Sequence, residues 1–434
     1  MIRRLLCLVC WSMLTAPGSA QRLATFTVPP TPGGLDLPVT VDLDQVTPVQ
    51  DSALSLYRVS GSHRTPVPFQ VQEGEVRTLH WIVPGDRRAG EEIVYELVRR
   101  TTSARGATAP DGPAAGATAP GDAIGTSAGE ARVSVLSDDS TYTLQSGTHP
   151  LLRYNHATVY PPPGVDSAFR RSGFIHPLWT PHGQVLTRIQ APDHYHHYGL
   201  WNPWTHVLFE GDTVDFWNLG GKKGTVRFAR LLNKDSGPVY AQIRVLHEHV
   251  VLKNNKVALS EVQTIRAYRP SKDKDNDYYY LDITSELSCA TESPVLLLTY
   301  RYGGLGWRAT PLWNKDNSEV LTSEGRDRKG ADGSTARWCI VQGALNDDYG
   351  GAVMLSYPAN YNHPEPLRVW PENTNGKGDL FANFDPTKDR DWLLEPGKTY
   401  VLRYRLVVFN GKFDKEKAES AWQYFANPPY IIIR

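Results

Sequence analysis

Five histidines crowd the stretch Phe174–Trp204, FIHPLWTPHGQVLTRIQAPDHYHHYGLWNPW: His176, His182, His194, His196 and His197. The tightest group, Asp193-His194-Tyr195-His196-His197, is bounded by Pro192 and Gly199 and followed by Trp201 and Trp204. Imidazole serves as proton shuttle, metal ligand or rigid hydrogen-bond donor. In a strand His194 and His196 point the same way, whereas on a helical turn His194 and His197 are neighbours. Two or three imidazoles with one carboxylate suit Zn, Fe or Ni, with Asp193 as a ligand or as the group that orients a ligand. Acid–base histidines without a metal fit the same residues, as do histidines that fasten a turn. The spacing matches neither the helical zinc-protease signature nor the other short metal signatures.

A carboxylate pair is the other route to chemistry on sugars, since glycoside hydrolysis uses two at a set separation. Glu248, Glu261, Glu319, Glu324 and Asp193 are eligible. The planar donor fork of arginine suits an acidic sugar, and Arg301, Arg308, Arg326, Arg337 and Arg368 are available. Phosphate-binding loops, a GxSxG nucleophile elbow and a complete calcium loop are absent from the sequence. The run KDKDND before Tyr278 reads as an exposed turn.

These groups sit among short alternating segments, and the chain reads as all-β. Residues 21–103 suggest a small β-sandwich; 104–130, with GATAP at Gly106 and again at Gly116, suggest a linker or overgrown loop; 131–434 suggest one large β domain. The strand Ala241–Val250 places Ala241, Ile243, Val245, His247 and His249 on one face. That face begins apolar and turns polar, like a strand leaving the core for a rim. The opposite face, with Gln242, Arg244 and Glu248, suits either the floor of a carbohydrate cleft or plain solvent exposure. Only residues 414–424, DKEKAESAWQY, read as a helix, with a Lys415–Glu419 pair on its surface.

Lys+Arg and Asp+Glu are equal at 46 each, so no net field recruits nucleic acid or anionic lipid. Residues 1–20 combine Arg3-Arg4, a short apolar run and Gly18-Ser19-Ala20. They read as a secretory signal cleaved before Gln21, giving an exported, secreted or periplasmic protein. No later run is long enough to span a bilayer. Past the signal only Cys289 and Cys339 remain, compatible with a disulfide or with two buried thiols.

The segments Leu152-Arg153-Tyr154-Asn155, residues 171–178 (RSGFIHPL), Thr180-Pro181-His182-Gly183, residues 193–201 (DHYHHYGLW) and residues 302–306 (YGGLG) resemble a bacterial family labelled methane-oxygenase-like, or PmoA-like. Its pattern is FIHPLxTPxGxxLT…DHxHHxGLW, and the similarity extends from about residue 131 to the C-terminus. The chain departs from the commoner DHPHHRGLW form at Tyr195 and Tyr198. The resemblance implies an exported protein of glycan-degrading bacteria, with a large antiparallel β-sandwich of the galactose-mutarotase/polysaccharide-lyase supersandwich type. The label names a membrane oxygenase subunit, which the lack of spanning segments does not match.

The combined reading is a carbohydrate-active lyase or hydrolase. Its alternatives are a noncatalytic glycan-binding protein and a structural envelope protein. His194, His197, His176 and Glu248 are the candidate acid–base groups. Trp201, Tyr198, Trp204, Arg326 and Arg368 are the candidate sugar contacts. The cofactor is either none or one divalent ion on His194, His196 and His197.

Overall fold

The computed structural model describes residues 21–88, 90–100 and 132–434. The expected signal segment (1–20) and the expected linker (104–130) lie outside the described residues. What is described is almost entirely β, and Lys415–Ala426 is the one α-helix in it. No helix among the described residues is long and apolar enough to cross a membrane.

Two large antiparallel sheets form the body. The nine-stranded sheet runs Gly224–Ser236, Tyr240–Val251, Lys256–Tyr268, Asp277–Cys289, Thr399–Asn410, Asp348–Ser356, Trp338–Leu345 and Ser318–Thr322, with Ser271–Lys272 as a short extra strand. The eight-stranded sheet runs Leu367–Val369, Phe381–Phe384, Gly306–Arg308, Leu200–Trp201, Phe174–Leu178, His149–Asn155, Thr141–Ser146 and Val133–Ser137. They stack face to face. One core holds Leu152, Ile175, Leu200, Trp307 and Phe384 from the second sheet against Ile243, Ile265, Ile283, Leu406 and Val408 from the first.

The back of the large sheet is covered as well, which explains the continuous apolar run Leu406–Phe409. Leu406 and Val408 face the first core, while Val407 and Phe409 face a second. That second core includes Tyr240, Tyr268, Tyr278, Tyr280 and the helix residues Ala418, Ala421 and Trp422. It continues into two small N-terminal sheets through Phe26, Trp81 and Tyr95. The backbone N–H of Asp36 donates to Tyr278 Oη at 2.8 Å, and Tyr280 Oη donates to the Asp36 carbonyl at 2.8 Å. The last strand, Ile432–Ile433, pairs with Gln21–Val28, the first strand among the described residues.

Two local expectations change. Asp414 caps the helix by accepting from the Lys417 N–H, but Glu419 does not pair with Lys415. It turns toward the sheet, taking Trp338 Nε1 at 2.8 Å and Arg337 at 3.1 Å. His247 and His249 do not approach a rim; they are buried between the sheets because the polar end of the strand is roofed by Tyr154 and Phe216. The KDKDND turn is plugged by the Lys417 ammonium, which sits 3.0 Å from Asp273, 3.0 Å from Asp275 and 2.7 Å from the Asn276 amide oxygen. Cys289 and Cys339 are both free thiols, and burial pushes that of Cys339 up to about 12.

Candidate functional site

The tri-histidine group is carried by a hairpin. Ile189–Ala191 pairs with His194–Tyr198, and the chain then enters the eight-stranded sheet at Leu200–Trp201. Gly199 makes the turn between the two at φ 64°. A Cβ there would lie 2.3 Å from the Ile175 carbonyl oxygen, so only glycine fits. The hairpin register shifts between Ile189 and Ala191, so strict alternation of side chains is not kept. As a result His194, His196 and His197 converge, and one ligand atom from each lies within 4.8 Å of the others.

Asp193 orients the group. Its Oδ2 accepts from His194 Nδ1 at 2.8 Å, from Arg308 Nη2 at 2.8 Å and from Asn375 Nδ2 at 2.9 Å. Partial burial raises its carboxyl, but the hydrogen bonds from His194 and Arg308 outweigh this and hold it at about 2. An ionised Asp193 fixes the Nδ1–H tautomer of His194 and leaves Nε2 with a free lone pair. Burial, reinforced by His194, Arg171 and Arg308, depresses His196 to about 4. Burial first, then His196, His194 and Arg308, hold His197 far below the ordinary imidazole value. Both rings are therefore neutral near pH 7, and His197 Nδ1 is buried with no hydrogen-bond partner among the described residues.

The walls are aromatic. Trp370 lies 4.7 Å from the His194 ring and 5.4 Å from that of His197, and Trp201 lies 5.2 Å from His197. Phe381 and Trp217 complete the packing around His197. Arg308 is 1 % exposed and stacks on Trp370 at 4.5 Å, with Nη2 shared between Asp193 and Asp379. Its Nη1 has no hydrogen-bond partner among the described residues. Three imidazoles, one oriented by a carboxylate, two neutral through burial and one of these with an unsatisfied buried nitrogen, can accept a divalent ion.

The other sequence candidates scatter. His176 bonds Thr187 Oγ1 at 2.9 Å and opens on a separate cavity of about 430 Å³ with Arg188, Thr310 and Asn346; burial lowers it to about 4. Glu248 points from the outer face of its strand into an ion pair with Arg227 at 2.7 Å. Tyr198 is buried, accepts from Gln190 Nε2 at 2.7 Å and donates to the Phe169 carbonyl. Trp201 and Trp204 are buried too; Trp204 meets Trp392 edge-on at 5.9 Å. Neither indole is a surface for stacking a sugar: Trp204 fills the core between the sheets, and Trp201 is packed into the aromatic cluster of Phe174, Tyr198, Trp217, Trp370 and Phe381. Arg326 lies on an exposed turn whose backbone N–H donates to Thr322 Oγ1. Arg368 does reach the site wall: it donates to Tyr302 Oη at 3.2 Å, which also accepts from Trp370 Nε1 at 3.0 Å. His182, in the same stretch, bridges Asp277 and Asp348 at the surface, and the hydrogen bond to Asp277 leads in raising it.

Sequence reasoning missed Trp370, Asn375 and Asp379. They come from the loop 371–379, PENTNGKGD, and the residue before it; its Pro, Asn and Gly content was the available signal. Also unanticipated is a buried ionic cluster between the sheets. Glu261, fully buried, takes Asn202 Nδ2 at 2.7 Å, Ser285 Oγ at 2.5 Å and His249 Nε2 at 3.1 Å, with His247 at 3.4 Å. Burial raises its carboxyl, yet these imidazoles outweigh it and keep Glu261 well below the ordinary range. The cluster anchors Asn202, directly after the histidine hairpin.

The chain belongs to the family described as "Family of unknown function (DUF6807)", which matches residues 141–423, about two thirds of its length. That assignment replaces the methane-oxygenase-like one drawn from the motif, and the absence of any membrane-crossing helix among the described residues agrees with the replacement. No curated protein matches the chain.

Proposed function

We propose that this is a carbohydrate-binding protein in which His194, His196 and His197 hold one divalent metal ion. The observation that carries the reading is the convergence of three imidazoles within 4.8 Å, two kept neutral by burial and the third aligned by Asp193. The ion supplies a Lewis-acidic point for sugar hydroxyls or a carboxylate. Around it, Tyr302 offers a half-buried aromatic face, with Arg368 hydrogen-bonded beside it. The stacked sheets suit a sandwich of the galactose-mutarotase/polysaccharide-lyase type, and the N-terminal segment suits export to the periplasm or beyond.

Binding is favoured over hydrolysis because, among the described residues beside the cluster, neither carboxyl has a raised pKa. The carboxylates beside the cluster, Asp193 and Asp379, are both lowered and both committed to Arg308. A general acid for glycoside cleavage needs the opposite shift. One observation supports lyase chemistry as a second reading. Arg308 has an unpaired Nη1 in the same network as neutral imidazoles, the combination that pairs a base with stabilisation of enolate charge.

The experiment is calorimetric titration of tag-free protein with neutral and uronic-acid oligosaccharides, before and after chelation. Saturable binding that chelation removes and one equivalent of Zn²⁺, Ni²⁺ or Fe²⁺ restores is the expected result. Binding indifferent to chelation contradicts the metal; release of ultraviolet-absorbing unsaturated products moves the reading to a lyase.

A further inference from the structure

Away from the histidine hairpin, a cavity of about 750 Å³ opens where the strand Thr399–Asn410 begins beside Trp392–Leu394. That volume lies within the range of small-molecule sites, roughly 300–1,000 Å³. None of its lining residues belongs to the tri-histidine cluster or its walls. Three aromatic side chains on its wall are held rigid. Tyr361 lies flat on Trp392, with centroids 4.5 Å apart and planes 1° apart, and Tyr400 meets Trp392 edge-on at 5.8 Å. Trp392 is braced from behind by Trp204, the last residue of the histidine motif, at 5.9 Å. Preorganised aromatic area of this kind loses little conformational entropy when a ligand packs on it.

Polar groups stand around these rings with bonding capacity left over. Asp391 Oδ1 takes both the backbone N–H and the hydroxyl of Thr299, at 2.7 and 2.8 Å, leaving Oδ2 without a protein partner among the described residues. Glu395 Oε2 takes Lys398 Nζ at 2.6 Å, leaving Oε1 similarly open. The exposed Arg403 guanidinium stacks on Tyr357 at 5.3 Å and makes no ion pair or hydrogen bond among the described residues. Rings for C–H faces, two acceptors and one fork of donors are what the alternating axial and equatorial edges of a sugar require.

We propose that this cavity is a second carbohydrate site, taking one neutral pyranose unit by stacking on Tyr361, whose ring the buried Trp392 backs, and hydrogen bonding to Asp391 and Arg403. The charges decide the class of sugar. Glu395 is paired with Lys398 and Asp391 stands against Arg403, so no excess positive charge favours a uronate, whereas sugar hydroxyls donate to Asp391 and Glu395 and accept from Arg403. The site stands on residues independent of the metal reading, so either can fail alone.

Calorimetric titration of the full chain with neutral cello-, xylo-, manno- and galacto-oligosaccharides tests it, with oligogalacturonate as the acidic comparator. Wild type, Arg403→Ala, Asp391→Ala and His194→Ala/His197→Ala are compared, each with a thermal melt. Binding of at least one neutral series, weakened about tenfold or more by Arg403→Ala and by Asp391→Ala at unchanged melting temperature, is expected. That binding persists in the histidine double variant, and the acidic comparator binds at this site at least tenfold more weakly. Should no neutral series bind, or should both single variants bind as wild type does, the proposal is overturned. Loss of Asp391→Ala affinity together with its fold leaves Arg403→Ala to decide, since that side chain makes no hydrogen bond or ion pair among the described residues and only an exposed stack on Tyr357.

Discussion

Replacing Asp193 by asparagine keeps the volume and removes one charge, so it isolates the group that aligns the metal site. In the wild type Oδ2 takes three donors, His194 Nδ1, Arg308 Nη2 and Asn375 Nδ2, at 2.8 to 2.9 Å. Hydrogen bonds to a charged group contribute about 1.5–3 kcal/mol each. The Asp193 side chain is 22 % exposed, and an amide oxygen still accepts, so the net loss is smaller, about 2 kcal/mol. His194 loses its fixed tautomer, and removing such a carboxylate behind a ligating imidazole weakens metal binding about 10–100-fold. Asp379→Asn is the control: it also touches Arg308 and Asn375 but no histidine. Competition against a chromophoric chelator for Zn²⁺ reads the affinity, and urea unfolding reads the stability. Both variants should be destabilised by a similar amount, with only Asp193→Asn losing Zn²⁺ affinity tenfold or more. A folded Asp193→Asn protein with wild-type Zn²⁺ affinity refutes the orientation argument.

Other expectations follow from burial. Glu365 is fully buried and pushed up to about 7 by desolvation, against hydrogen bonds from Ser356, Asn360 and Tyr404. The unfolded chain releases that proton near 4.5 and the folded chain near 7, so this carboxyl costs stability as pH rises through that window. Glu365→Gln should therefore gain up to roughly 3 kcal/mol over wild type at pH 8 and nothing near pH 4, read by denaturant melts; an equal gain at both pH values contradicts the assignment. Gly199→Ala should lower stability by about 1–3 kcal/mol and abolish the metal site, because the turn cannot be made beside the Ile175 carbonyl. Deleting residues 21–100 bares Tyr240, Tyr278 and Tyr280, which bond to or pack on Asp36, Gln72 and His80. At about 1.5–3 kcal/mol each this is comparable to the stability of a domain, so a fragment from residue 132 should not fold alone, as circular dichroism and gel filtration would show. If residues 1–20 act as the export signal their sequence suggests, the mature protein begins near Gln21, which N-terminal mass analysis of material from the native host checks.

How much was legible in the sequence depends on what the pattern encodes. Period-two alternation marked the long strands, and the run DKEKAESAWQY, with Ala418 and Trp422 able to share a face, marked the helix. Alternation says which residues share a face, and not what covers that face. His247 and His249 therefore read as a rim, although Glu261, on the neighbouring strand, compensates their burial. Trp201 and Trp204 read as sugar platforms because aromatics beside histidines suit a cleft; the second sheet claims them as core instead. The tri-histidine cluster was visible as composition, but its convergence depends on a hairpin irregularity that no spacing rule reveals. Trp370 and Asn375 were beyond reach because they arrive from a loop distant in sequence from the histidines.

The account rests on one metal ion at three imidazoles, and elemental analysis of tag-free protein tests this most directly. Wild type, incubated with equimolar Zn²⁺, Ni²⁺ and Fe²⁺ and then desalted, should retain close to one equivalent of a single ion per chain. His194→Ala/His196→Ala/His197→Ala should retain none while keeping the β-sheet circular dichroism of wild type. A wild-type protein that emerges metal-free, or a triple variant that keeps its ion, contradicts the account.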